Sequence, residues 1–133
     1  MDLQTRLAEL SRTECLALLH QKQLGRVGVS IDALPAIFPV FIAVVDDAVV
    51  FRTVPGTKLS AASSGSIVAL EVDAFDEGTG HGWSVLVRGV ATELADGARA
   101  TLARQRLHTT WIDGAPEHLV EISLDLVTGR RLK

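Results

Sequence analysis

The spacing of apolar residues changes at Gly25 and stays changed for most of the chain, and this limits the fold more than any other feature. Val27, Val29 and Ile31 alternate with Arg26, Gly28 and Ser30, the period of a strand with one buried face. The same alternation returns in 66–74 and in 118–127, where Val120, Ile122, Leu124 and Leu126 share a side. Runs 36–45 and 48–53 are rich in β-branched and aromatic residues, and 83–94 forms a further long run. Six strands are therefore expected. Asp32-Ala33-Leu34-Pro35 and Asp46-Asp47 supply turns between the first three. Pro39 lies inside the second strand and removes one ladder donor, which marks an edge, a bulge or a break. Gly89 marks a bend or bulge in the fifth, and 75–82 reads as a polar, Gly-rich loop.

The rest of the chain reads as helix. Leu3, Leu7 and Leu10 have helical spacing over 2–10. Ser11-Arg12-Thr13-Glu14 matches a capping box, with Leu10 and Cys15 placed for a hydrophobic staple, and the helix it starts is expected to run to about Gln23 and stop at Gly25. A short helix is expected over Thr57–Ser64. Asp96 can cap another through about His108, with Leu102 and Leu107 inward. Six strands joined mostly by short turns, with two or three peripheral helices, predict a mainly β, antiparallel barrel. No linker, repeat or low-complexity segment divides 1–133, so one domain is expected.

Composition narrows the function. A net charge of −3, no basic run beyond Arg130, Arg131 and Lys133, and few aromatics argue against nucleic acid as a partner. The single Cys15 excludes an internal disulfide and reads as a small core residue, and no Cys/His cluster has metal-ligand spacing. No apolar run is long enough to span a bilayer and no leader is evident, so a cytoplasmic protein without membrane contact is expected.

One stretch stands out chemically. Ala48–Thr53 ends in Arg52 and Thr53, turns at Pro55-Gly56, and enters the short helix at Thr57-Lys58-Leu59. Arg52 can grip a phosphate bidentately, Lys58 can add a point charge, and the hydroxyls of Thr53 and Thr57 can donate. Amides at a helix start add to such a cradle. The competing reading is a set of solvated surface charges, or Arg52 paired with Glu71 or Asp73 across the sheet.

The run GRVGVSIDALPAIFPVFIAVVDDAVVFRTVPGTKL, followed by VALEVDAFDEGTGHGWSVLVRGVATEL and a closing VTGRRL, resembles the pyridoxamine 5′-phosphate oxidase-like flavoproteins. The likeness is strongest to small actinobacterial-type members with FRTxxGTKL and GWSVLVxGxA motifs. The resemblance implies a six-stranded, Greek-key, FMN-binding split barrel that forms a homodimer with cofactor sites at the interface. By the same resemblance, Arg52, Thr53, Thr57, Lys58 and Leu59 meet the FMN phosphate, and Pro39, Val40, Phe41 and Ile42 run along the isoalloxazine edge. Trp83 and Ser84 approach the flavin, commonly from the other half of the site.

The function so implied is an FMN-binding oxidoreductase passing hydride or electrons to a small planar acceptor. The basic and aromatic set that would hold pyridoxal phosphate is missing, so true pyridoxamine phosphate oxidase activity is not expected. Two alternatives stand beside it: an F420 (deazaflavin)-dependent reductase of the same fold, and a non-catalytic flavin- or heme-binding module. Trp83 has a second reading as a core or interface aromatic. Trp111 and Arg130 match positions that complete the site in some relatives, against an ordinary packed Trp and a solvated Arg. His81 is a candidate proton donor or a solvated loop residue. His20, His108 and His118 have no evident partners.

Overall fold

The computed structural model describes residues 7–108 and 116–133. Eight strands run in chain order: β1 (Leu7–Glu9), β2 (Leu24–Ile31), β3 (Leu34–Val45), β4 (Ala48–Thr53), β5 (Ile67–Asp76), β6 (His81–Glu93), β7 (His118–Ser123) and β8 (Leu126–Leu132). Among the described residues three helices accompany them: α1 (Arg12–His20), α2 (Lys58–Ser63) and α3 (Ala98–Arg106).

Every pairing is antiparallel, in the order β1-β8-β6-β5-β2-β3-β4-β7, and β7 returns to β6. That last pairing closes β6, β5, β2, β3, β4 and β7 into the expected six-stranded barrel, with β8 and β1 extending the sheet beyond it. β6 can serve both because it changes partner along its length. Gly82–Arg88 pair with β8 and Ala91–Glu93 with β7. Gly89, the residue expected to mark a bend, lies at that change.

Val27, Val29, Ile42, Phe51, Leu70, Val72, Val85, Val87 and Ile122 fill the barrel. A second apolar layer forms outside it, where Ala100, Ala103 and Leu107 of α3 and the residue after it cover Ala43, Val45, Val50 and Leu119. Two-sided burial explains why 42–45 and 48–51 are continuously apolar rather than alternating. Among the described residues no helix covers the opposite outer face, carried by β3, β2, β5, β6 and β8. Ile37, Ile67, Val90 and Leu126 stand exposed there.

The turns obey local chemistry. Asp32 and Ala33 both take positive φ, 51° and 66°, which makes a tight two-residue hairpin whose twist suits its strands. Leu34 and Pro35 therefore belong to β3 rather than to the turn. The Ser11 hydroxyl accepts from the Glu14 amide at 3.2 Å and Glu14 accepts from the Ser11 amide at 3.0 Å, so the capping box forms as expected.

Several element expectations are corrected. Leu7–Glu9 are extended and pair with Leu132–Arg130, because a sheet edge is available to them; 1–6 lie outside the described residues. α1 ends at His20, with Gln21 as its cap, and Gly25 is a β2 residue. Asp96 does not cap α3. Gly97 occupies that position and Asp96 instead accepts a hydrogen bond from Arg104 at 2.9 Å. The strand expected over 118–127 is two strands. The Leu124 amide donates to the Asp47 carbonyl at 2.8 Å, and the chain reverses there into β8.

Candidate functional site

β3 and β4 pair only over Ile42–Val45 and Ala48–Phe51. Beyond Phe51 the two strands part. The edge of β3 from Phe38 to Phe41 is left without β4 beside it, a gap in which Pro39 sits without breaking a shared ladder. A cavity of about 360 Å³ opens at this parting, within the range of ~300–1,000 Å³ common for small-molecule sites. Pro39, Val40 and Phe41 line it from β3, Arg52 and Thr53 from β4, and Thr57, Lys58 and Leu59 from the entry to α2. Phe38 and Val54 complete the wall. Ile42 does not reach it: its side chain is a barrel-core residue.

The polar groups of this wall differ in availability. The Thr57 hydroxyl caps α2, accepting from the Ser60 amide at 3.2 Å and donating to the Val54 carbonyl at 2.6 Å. Its proton is thus used locally. Thr53 is 2% exposed, and its hydroxyl has no hydrogen-bond partner among the described residues. An unsatisfied buried hydroxyl costs about 1–3 kcal/mol, so one in a cavity wall fits a site with a polar ligand. Lys58 is exposed and makes no ion pair among the described residues.

Arg52 is held from behind. Its Nε donates to Glu117 Oε2 at 2.8 Å and its Nη1 to the His108 carbonyl at 3.4 Å. The other oxygen of Glu117 accepts from Arg104, whose pKa is raised by that bond and then by Asp96. The competing reading, Arg52 paired with Glu71 or Asp73, is therefore set aside. Those carboxylates face Arg26 instead, at 3.8 and 3.6 Å, because Arg26 and Glu71 are register partners on β2 and β5.

The imidazole of His108 stacks on Phe41, centroids 4.8 Å apart and planes 14° from parallel. His118 Nδ1 lies 3.1 Å from the Ser60 hydroxyl, and its Nε2 is 4.0 Å from Glu93. Neither histidine showed these partners in the sequence, since they come from distant elements. Glu117 was missed for the same reason; nothing in its neighbourhood marks it as the anchor of a residue 65 positions away.

Trp83 and Ser84 lie elsewhere. Trp83 packs against the barrel core under Lys22, whose Nζ is 5.9 Å from the ring centroid. With Ser84 and Arg130 it lines a hollow of about 310 Å³, beside a groove of about 520 Å³ lined also by His81, Arg131 and Lys133. No lining residue is shared with the Arg52 cavity. Trp111 lies outside the described residues. Among the described residues no group of His, Cys, Asp or Glu could hold a metal ion, and no helix is long and apolar enough to cross a membrane.

A closed six-stranded antiparallel ring, parted beside one strand–turn–helix, defines a split barrel. The chain belongs to the pyridoxamine 5′-phosphate oxidase-like split-barrel family: the family model described as pyridoxamine 5′-phosphate oxidase matches residues 11–131. An uncharacterized protein of Mycobacterium tuberculosis, Rv0080, is 40% identical over 129 residues, covering 93% of this chain and 84% of that protein. Among solved structures, the FAD binding protein from Mycobacterium smegmatis aligns with a TM-score of 0.84 and 38% identity, over 95% of this chain and 98% of that one. An FAD-binding protein from Mesorhizobium loti aligns with a TM-score of 0.77 and 27% identity, over 96% and 97% of the two chains.

Proposed function

We propose that this protein binds a flavin nucleotide, FMN or FAD, in the Arg52–Lys58 cavity and uses it for redox chemistry on a small planar compound. The observation that carries the reading is the buried, unpartnered hydroxyl of Thr53 in a wall that also presents Arg52 and Lys58. The two solved relatives described as FAD binding support it. Lys58, Thr53 and Arg52 would hold the phosphate, and the open edge of β3 would offer backbone groups to a planar heterocycle. The flavin, when bound, supplies the hydride or electron transfer. Phe38, Val40, Phe41 and Leu59 give it an apolar wall that excludes water.

A homodimer belongs to this proposal. The uncovered outer face places Ile37, Ile67, Val90 and Leu126 toward one end and Arg26, Glu71 and Asp73 further along the same strands. An apolar patch beside charges of both signs suits a self-complementary, two-fold contact. A second copy would also let Trp83 and Ser84, remote from the cavity within one chain, complete the other chain's site.

The test is the visible spectrum of the purified protein, followed by titration of the apoprotein with FMN, FAD and F420. Flavin bands or saturable flavin binding are expected, with Lys58→Ala weakening it by about 1.5–3 kcal/mol for one charge-assisted contact. A preference for F420 would move the chemistry to deazaflavin, and a Soret band would move it to heme. Binding of no flavin would overturn the reading.

A further inference from the structure

Glu117 is placed to decide what charge the cavity takes. It stands outside the cavity wall, yet one carboxylate oxygen holds Arg52, which is in that wall, while the other holds Arg104. Arg104 in turn reaches Asp96. Two arginines and two carboxylates thus share one network, and Arg52 faces the cavity with its charge largely answered. The Arg52 and Glu117 side chains are 12% and 15% exposed, so salt and water screen this pair less than they would a surface pair. Lys58 is left as the wall's unanswered cation among the described residues.

The two flavin nucleotides present different charges to such a wall. The phosphate of FMN is a terminal monoester, carrying about −1.5 to −2 near pH 7. In FAD the same phosphate is one half of a diphosphate diester: it carries a single charge, and a second lies on the adjoining phosphate. A second negative charge on that same phosphate finds Lys58 and then meets Glu117 behind Arg52.

Resting on the flavin reading above, we propose that Glu117 is a positioning residue that sets phosphate specificity: by holding Arg52 it favours the diphosphate of FAD, whose two charges are spread over two phosphates, over the monoester of FMN, whose charge is concentrated on one. Arg104 tunes it in the opposite sense. Without Arg104, the charge of Glu117 falls on Arg52 alone.

The experiment titrates wild type, Glu117→Gln and Arg104→Gln with riboflavin, FMN and FAD, following flavin fluorescence. The ratio of FMN to riboflavin affinity isolates the phosphate. Wild type should bind FAD more tightly than FMN. Glu117→Gln should raise the FMN-to-riboflavin ratio, by about fivefold for a charge effect of roughly 1 kcal/mol, and narrow the FAD preference. Arg104→Gln should lower that ratio. A merely structural Glu117 would weaken all three ligands together and leave the ratio where it was.

An unchanged ratio in a folded Glu117→Gln protein, or a shift of the same sign in both variants, overturns the proposal while leaving flavin binding standing. Should Glu117→Gln not fold, the direction of the Arg104→Gln shift decides alone. Failure of wild type to bind any of the three overturns the flavin reading, and this proposal with it.

Discussion

Glu71 shows how much a single outward-facing carboxyl can depend on its neighbours. Burial, then the adjacent Asp73, push it up from 4.5 to about 7, and Arg26 pulls the other way without prevailing. A carboxyl that keeps its proton in the folded chain above the pH at which the unfolded chain has released it favours folding at the lower pH. Its contribution therefore declines as pH rises from about 4.5 through 7. Glu71→Gln removes that dependence. The melting temperature of the variant should change less between about pH 5 and pH 8 than that of wild type; parallel profiles would show that Glu71 titrates normally. Residues of this kind are invisible in the sequence, where Glu71 is one more polar member of an alternating strand.

At the scale of elements, α1 is fastened to β8 through Gly129. A Cβ there would stand 2.6 Å from the Cys15 sulfur and 3.0 Å from the Ser84 carbonyl oxygen, so glycine is needed for close approach rather than for a turn. The surrounding burial lifts the Cys15 thiol pKa and marks it as packing. Gly129→Ala should cost about 1–3 kcal/mol, the usual range for overpacking, measured by urea unfolding. Trimming the neighbour in a Gly129→Ala, Cys15→Ala double variant should recover part of it. A single variant as stable as wild type would mean that α1 shifts freely on the sheet.

Local signals were legible and long-range ones were not. The capping box at Ser11 and Glu14, the turn at Asp46-Asp47 and the alternation in β2 and β5 could be read because each is decided within a few residues. Arg52, Thr53, Thr57 and Lys58 could be read as one polar cluster for the same reason, whereas Pro39, Val40 and Phe41 were linked to them only through the family resemblance. The strand at Leu7–Glu9 was not legible, because a three-residue strand exists only where β8 offers it an edge. The hairpin at Leu124 was hidden by apolar residues that continue the period straight through it. Trp83 could be recognised as special but not located, because its place depends on which sheet strands end beside it.

At the scale of the whole molecule, the two outer faces of the barrel have opposite fates. One is sealed by α3; the other exposes Ile37, Ile67, Val90 and Leu126 across its strands. Ile67 is 78% exposed and register-paired with Val90, so Ile67→Glu should disturb the proposed contact without touching the core. Sedimentation equilibrium should find wild type as a dimer and Ile67→Glu shifted toward monomer, with weaker flavin binding in the variant. A wild type that stays monomeric across the accessible concentrations would remove the dimer and leave Trp83 and Ser84 outside the site.

The seam between β4 and β7 has a consequence for how the protein is made. The wall of the cavity comes from 38–59, a neighbourhood of low contact order that a hairpin and one helical turn can assemble early. The carboxylate behind Arg52 arrives from 65 positions downstream, and only when the ring shuts. Loop-closure entropy weighs more on that step than on the first. The wall of the pocket thus rests on contacts close in sequence, and the charge that would tune it on one that spans 65 positions and needs the closed ring.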